Sequence, residues 1–453
     1  MRTLRLLFVF LALSLHLFVG QAIAEGRPNF IVILADDLGY GDLGCYGSVF
    51  NETPNLDRLA AEGVRFTDFH SNGPMCTPTR AALLTGLYQQ RFGRKFESAL
   101  SGKEHYSQGL PLESLTLAEV LKGSGYATGC FGKWHLGYQP PYLPVDHGFD
   151  EFRGLASGDG DHHSHIDRSG RPDWWHNNRP NPESGYTADL LVEHAMTFIE
   201  KHQKEPFFVY LPHLAIHFPW QGPSDPPHRK EGQDYWDDKW GVISDPSNVR
   251  PHIKAMVESI DRGVGEMVAL LKRLGIEKDT LVFFLSDNGG YTHYGNSHKN
   301  ISSNGLLRGQ KTELFEGGHR VPAIAWWPGR IRPAISNSVA ITFDLMPTIV
   351  SLSKGEISPE FRFDGVDLSP VLFRTGRLVP RTLFWRMDDE TAIRRGPWKW
   401  IRKGRDEPQL YDLVHDLGET RDMRAEHPSM VAELAKDLAL WERTIENDGR
   451  MIK

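Results

Sequence analysis

An α/β domain followed by a small antiparallel unit is the fold that the chain predicts, and two patterns carry that reading. Helical and strand-like apolar periodicities alternate from Asn29 to Leu285, as in a sheet flanked by helices. Beyond about residue 355 the texture changes to short strand candidates closed by one helix. With 453 residues, 40% of them hydrophobic, the chain can bury a large core, so disorder is not the expectation.

At the N-terminus, Arg2 and Arg5 precede the apolar run 6–19, and Ala22, Ile23 and Ala24 supply a small-residue cleavage pattern. Residues 1–24 therefore read as a signal peptide, with the α/β domain over 25–355 and a 356–453 subdomain after it. Its removal leaves no integral membrane segment and a periplasmic or secreted protein. Residues 29–34 are apolar and rich in β-branched types, which predicts a buried strand, and Asp36 and Asp37 leave it abruptly.

Thr53 and Pro54 open a helix as N-cap and first-turn residue, Leu56, Leu59 and Ala60 give it an apolar face, and Gly63 stops it before a strand at 64–69. A further strand is predicted at 127–131. Leu190, Leu191, Phe198 and Ile199 lie at helical spacing within 187–204, and Pro206 separates them from a strand at 207–211. The pattern repeats with Ile253, Met256, Val257, Ile260, Val264 and Met267, a stop at Gly275, and a strand at 280–285. The C-terminal strand candidates are 382–386, 391–394, 398–402 and 409–412, with a helix near 430–445.

A formal net charge of −7 argues against a general nucleic-acid or polyanion binder, so any anionic substrate has to be recognised locally. Only Cys45, Cys76 and Cys130 are present, too few for a disulfide framework. Cys45 and Cys130 are compatible with free thiols or a disulfide.

Ligands of open α/β sheets sit beyond the carboxyl ends of strands. Four predicted strand ends carry titratable groups: Asp36 and Asp37; Lys133 and His135; His213 and His217; Asp287 and Asn288. Three carboxylates and an amide oxygen form the all-oxygen donor set that hard divalent cations prefer, which favours calcium over zinc. Asp161, His162, His163 and His165 imitate a zinc cluster, but no thiolate motif accompanies them.

The segment Cys76-Thr77-Pro78-Thr79-Arg80 is followed by Ala81-Ala82-Leu83-Leu84-Thr85-Gly86. Pro78 suits a first helical turn and Gly86 an exit, so Cys76 sits at a helix N-terminus, where backbone N–H groups favour anions. On physical grounds alone this is an activated thiol beside an anion site, with Arg80 one turn along to reach a bound oxyanion or the carboxylates.

The same segment resembles the Cys-x-Pro-x-Arg signature of type I sulfatases. The resemblance extends through Asp36-Asp37-Leu38-Gly39, Gly132-Lys133-Trp134-His135, Ser286-Asp287-Asn288-Gly289-Gly290 and the stretch from Lys311 to Arg320, and covers nearly all of the mature chain. It implies an alkaline-phosphatase-like fold, a large mixed sheet flanked by helices with a small C-terminal antiparallel sheet. It also implies that Cys76 is oxidised to formylglycine by a maturation enzyme, and that the hydrated aldehyde is the nucleophile.

By the same resemblance, Asp36, Asp37, Asp287, Asn288 and the modified Cys76 hold one calcium ion. Arg80, Lys133 and Lys311 steady the sulfate, His135 orients the diol or takes its proton, and His217 protonates the leaving alcohol, with His213 as the alternative. Ser164 and His165 are implied as substrate contacts. Trp174, Trp175, Trp220, Trp236 and Trp240 lie in polar loop-like stretches suited to stacking on a sugar, which favours a sulfated carbohydrate, with an aryl sulfate ester as the other substrate class. The rival readings are a phosphodiesterase or phosphonate monoester hydrolase on the same fold, and a catalytically silent sulfoglycan-binding protein.

Overall fold

The computed structural model describes residues 26–447, so the signal expected at 1–24 lies outside the described residues. The strands in chain order are β1 (Asn29–Ala35), β2 (Val64–Phe66), β3 (Phe69–His70), β4 (Ala127–Lys133), β5 (Glu151–Leu155), β6 (Trp175–His176), β7 (Arg179–Pro180), β8 (Phe207–Pro212) and β9 (Thr280–Ser286). They continue as β10 (His293–Tyr294), β11 (His298–Lys299), β12 (Ala323–Trp326), β13 (Ala334–Ser336), β14 (Ala340–Ile341), β15 (Thr382–Met387), β16 (Glu390–Arg395), β17 (Trp398–Lys403) and β18 (Gln409–Asp412).

Ten of these form one mixed sheet in the order β13-β2-β12-β9-β1-β8-β4-β5-β6-β7. The central strands β9, β1, β8, β4 and β5 run parallel. Antiparallel β12 joins β9 to β2. The apolar run of β1 follows from burial on both faces. Phe30, Val32 and Leu34 pack with the helices Cys76–Thr85, Leu117–Gly123 and Leu345–Ser353. Ile31, Ile33 and Ala35 pack with Pro54–Glu62, Thr187–His202 and Arg250–Leu274.

Local reasoning and structure part at two places. The strand expected at 64–69 is split into β2 and β3, because Asp68 turns out of the ladder to take Arg394 through Nη1 at 2.6 Å and Nη2 at 2.7 Å. Thr53 is not the side-chain cap of the Pro54–Glu62 helix. Its Oγ1 accepts the Gly44 N–H at 2.8 Å and donates to Asp57 at 3.0 Å. The cap comes from Asp261 of the Arg250–Leu274 helix, which accepts the N–H groups of Asn55 at 3.2 Å and Leu56 at 2.8 Å. Only packing supplies that carboxylate, from 205 residues away in the chain.

β15 to β18 form a separate four-stranded sheet, antiparallel at every pairing. Leu434, Leu438, Trp441 and Ile445 of the Pro428–Asn447 helix pack on it, and the same cluster takes in Ala82, Tyr88, Leu314 and Phe343 of the main body. This sheet therefore rests on the flank of the Cys76–Thr85 helix.

Candidate active site

Strands β9, β1, β8 and β4 are consecutive neighbours, so their carboxyl ends deliver the four expected groups to one place. The backbone continues the ladder past the strand ends: Asp36 N–H donates to Ala215 O at 2.9 Å, His213 N–H to Leu34 O at 2.8 Å, and Asp287 N–H to Ala35 O at 3.0 Å. Gly132, at φ 145°, lets β4 pass β8; a Cβ there would stand 1.9 Å from Pro212 O. Lys133 follows it directly. Asp37 and His135 adopt left-handed φ of 64° and 55°, a conformation that costs about 1–2 kcal/mol outside glycine and persists where the surroundings fix it.

Three carboxylates and three cationic side chains interlock here. Arg80 grips Asp287 Oδ2 through Nε at 3.1 Å and Nη2 at 2.8 Å, and its Nη1 donates to Lys133 O at 2.5 Å. Lys133 pairs with Asp36, and Lys311 with Asp37. Lys311 arrives on a loop rather than a strand end, tied down by its N–H to Gly290 O at 3.3 Å and by Thr312 N–H to Pro74 O at 2.9 Å. Burial, then Asp287, pushes the Asp36 carboxyl up to about 8 against the opposing pull of Lys133. Burial also pushes Asp287 up, but Arg80, Lys133 and Lys311 outweigh it and hold it low.

Cys76 begins its helix on the floor of a cavity of about 320 Å³. Its Sγ donates to Asp36 Oδ1 at 3.3 Å and receives Lys133 Nζ at 3.3 Å and Lys311 Nζ at 3.4 Å. The expectation of an activated thiol is corrected here. Burial, then the Asp36 carboxylate, holds the thiol well above its ordinary range despite both lysines, so Cys76 is not a thiolate. Cys45 and Cys130 are free thiols.

His135 donates from Nε2 to Leu100 O at 2.9 Å, which leaves Nδ1 as a buried acceptor without a partner. Gly158 packs on this ring: a Cβ there would lie 2.2 Å from Nε2. Burial and the Lys133 charge hold His135 well below the usual imidazole range. His217 donates from Nδ1 to Phe218 O at 2.8 Å, and its Nε2 faces Asp37 Oδ2 at 3.9 Å. A proton or a cation has to mediate between those two acceptors.

Two observations test whether the residues fit a metal. One ligand atom from each of Asp36, Asp37, Cys76 and His217 lies within 4.8 Å of the others. Asn288 Oδ1 is buried with no hydrogen-bond partner, while its Nδ2 donates to Asp37 Oδ1 at 2.9 Å. The oxygens match a hard cation. Asp287 lies outside the four-residue group; its Oδ1 accepts the Asp37 N–H at 3.2 Å and its Oδ2 belongs to Arg80.

Cys76, His135, His217 and Lys311 line the cavity. Arg80 and Lys133 are fully buried behind it, so Arg80 braces Asp287 and the Lys133 backbone. Ser164, His165 and His213 are not among the lining residues. Ser164 N–H donates to Asp161 Oδ1 at 2.8 Å and its Oγ to Arg229 O at 2.9 Å, while His165 stacks on Trp174 at 4.3 Å. His213 is buried without side-chain partners. Asp161 organises its loop through backbone N–H groups of His163, Ser164, His228 and Arg229, and the imidazoles of His162, His163 and His165 meet the backbone carbonyls of His217, Gly222 and Glu183.

Of the five tryptophans, Trp236 lines the cavity; Trp174 and Trp220 are buried packing, and Trp220 stacks on Trp240 at 5.3 Å. Sequence reasoning missed Ser157, Arg168, Lys239, Tyr291 and Tyr294 as lining residues. Their shared signal was position on long loops after strand ends.

A family model described as Sulfatase matches residues 28–355. Arylsulfatase A of Bos taurus is 38% identical over 432 residues, covering 85% of this chain and 77% of that protein. N-acetylgalactosamine-6-sulfatase of Canis lupus familiaris is 37% identical over 423 residues, covering 87% and 74%. The solved structure of Ps i-CgsB in complex with k-i-k-neocarrahexaose is similar with a TM-score of 0.80 at 28% identity, covering 92% of each chain.

Proposed function

The chain belongs to the sulfatase family and is a sulfuric ester hydrolase of alkaline-phosphatase-like fold, and from that premise we propose that it desulfates a carbohydrate using formylglycine made from Cys76 and one calcium ion. The observation that carries this reading is the surrounding of Cys76 Sγ, where Asp36, Lys133 and Lys311 all approach within 3.4 Å at the base of a cavity. The relative named N-acetylgalactosamine-6-sulfatase and the structure in complex with a neocarrahexaose support a saccharide substrate.

The protein is exported, with a signal at 1–24, a catalytic unit over 25–355 and a C-terminal subdomain over 356–453. Cys76 is 1% exposed and Thr77 to Arg80 are buried, so the formylglycine-generating enzyme acts before the chain has folded.

Asp36, Asp37, Asp287, Asn288 and position 76 would hold the cation, with Asp287 also bracing the site through the Asp37 N–H. When bound, calcium supplies Lewis-acid stabilisation, and the converted residue supplies a hydroxyl nucleophile in place of the thiol. Lys133 and Lys311 neutralise the sulfate oxygens at the point of attack. Arg80 acts through Asp287 as a positioning residue. His135 accepts a proton at Nδ1, because its Nε2–H is committed to Leu100 O. With its Nδ1–H held by Phe218 O, His217 turns Nε2 toward the site and serves as the acid for the leaving oxygen once Nε2 has taken up a proton, which burial and the Lys133 and Lys311 charges resist.

The test is the mass of the tryptic peptide containing position 76 in exported protein, paired with rates on an aryl sulfate and a phosphate diester. Formylglycine with dominant sulfatase activity supports the reading. Cysteine in an active enzyme, or faster diester cleavage, removes it.

A further inference from the structure

The cavity wall beyond the reaction centre carries Arg168, Arg171 and Lys239. Two of these are already neutralised: Arg168 donates from Nε to Asp159 Oδ2 at 2.8 Å, and Arg171 from Nε to Asp167 Oδ2 at 2.9 Å. Lys239 has no carboxylate partner among the described residues. Its Nζ donates to Tyr294 Oη at 3.3 Å and stands 4.8 Å from the Trp240 ring centroid, 5.0 Å from Tyr294 and 5.6 Å from Phe218. The neighbouring Asp238 carboxylate points to His228 at 3.6 Å.

An ammonium held over three aromatic faces loses little freedom when it meets an anion, because the platform has already fixed it. The platform is itself rigid: Trp240 packs on Tyr294 at 4.3 Å and stacks on Trp220 at 5.3 Å. Its position relative to the chemistry follows from Phe218, which adjoins His217 with ring centroids 4.1 Å apart, while His217 belongs to the group around Cys76. Lys239 is therefore one side-chain layer out from Cys76, whose Sγ Lys133 and Lys311 already meet. A cation there faces the next part of the substrate.

We propose that Lys239 binds a second anionic group of the substrate, a sulfate ester or a carboxylate on the sugar bearing the scissile sulfate or on its neighbour. This deepens the carbohydrate reading of the same cavity and rests on it. The chemistry shared by both sources is a tetrahedral or planar oxyanion accepting an N–H from an ammonium on an aromatic floor. Such a contact makes the protein selective for saccharides with at least two anionic groups, even though the chain as a whole is acidic.

The test compares formylglycine-bearing full-length wild type, Lys239→Gln and Lys239→Arg on three forms of one saccharide: monosulfated, disulfated, and monosulfated with a uronate carboxylate. Wild type should favour a dianionic form, and Lys239→Gln should cut that preference about fivefold to tenfold, through KM, while Lys239→Arg retains most of it. The preferred dianion identifies the source of the second charge. In wild type, kcat/KM on that form should also fall more steeply with added salt than on the monosulfated form.

An unchanged preference in Lys239→Gln, or equal wild-type rates on all three forms, overturns the subsite and leaves Lys239 as a cap on the aromatic cluster. Cleavage of an aryl sulfate with none of the saccharides overturns the carbohydrate reading itself, a separate result.

Discussion

Lys399 of β17 meets Glu316, 83 residues earlier in the chain, with Nζ 3.0 Å from Oε1 and both side chains sealed from solvent. The same ammonium pairs with Glu419 at 3.0 Å, and Glu419 Oε2 accepts the Glu316 N–H at 2.7 Å. On the adjacent strand, Arg394 holds Asp68. Buried charge as well as apolar surface thus fastens the C-terminal sheet to the body beside the Cys76–Thr85 helix. A complete buried pair adds little net stability, but removing one partner strands the other without solvent.

Lys399→Met is therefore expected to destabilise the protein by about 3–5 kcal/mol, read from denaturant unfolding, because Glu316 and Glu419 lose their shared cation. A change below about 1 kcal/mol would mean that water reaches the pair, as it does for exposed ion pairs.

Stability should fall on acidification in two stages. Burial holds His70 and His319 below the ordinary imidazole value of 6.5, so the unfolded chain binds protons first and stability declines as pH drops below it. Burial raises Glu316, but Lys399, His70 and Arg394 outweigh it and hold the carboxyl well below its ordinary 4.5. Its contribution is present above that value and is lost as pH falls further. Thermal unfolding between pH 8 and pH 3 measures both stages; a flat profile from pH 7 to pH 5 contradicts the first.

Calcium should raise the melting temperature in proportion to the logarithm of its concentration, and chelation should abolish sulfate release until calcium is restored. Asn288→Ala removes the orphaned Oδ1 and should raise the calcium concentration needed for half-maximal stabilisation by about tenfold or more. Identical calcium titrations of the two proteins would place the ion elsewhere.

Folded, unconverted protein incubated with its maturation enzyme should keep cysteine at position 76, whereas the denatured chain should be converted, since Cys76 and the residues through Arg80 are buried in the folded protein. Peptide mass decides. Cys76→Ala should lose at least about 10³-fold in kcat.

His135→Ala is expected to lower kcat by about 10²–10⁴-fold with a smaller effect on KM, as removal of a proton acceptor does. Steady-state kinetics on an aryl sulfate gives the split. A pure KM effect would reassign His135 to substrate binding.

Much of the site was legible because strand-end chemistry is local. The apolar runs before Asp36, Lys133, His213 and Asp287 mark strands by composition, and the polar residues after them have to leave the sheet at its carboxyl edge. The Cys76 helix, with Gly86 at φ 68° as its exit, was equally visible.

Which of those residues share one cluster depends on strand order, and periodicity contains no order. Neighbouring β1 and β8 bring Asp36, Asp37 and His217 together beside Cys76 of the Cys76–Thr85 helix but leave His213 buried outside the cavity. The state of the Cys76 thiol also escaped the sequence: a helix N-terminus favours the thiolate, but burial against Asp36 prevails, and desolvation is set by packing. The Asp261 cap, the Lys399–Glu316 pair and the uncompensated Lys239 share that origin. The sequence determined which groups could act, from elements a few residues long. Tertiary structure decided which of them meet and how they are charged, because long-range distance and dielectric exist only in the folded chain.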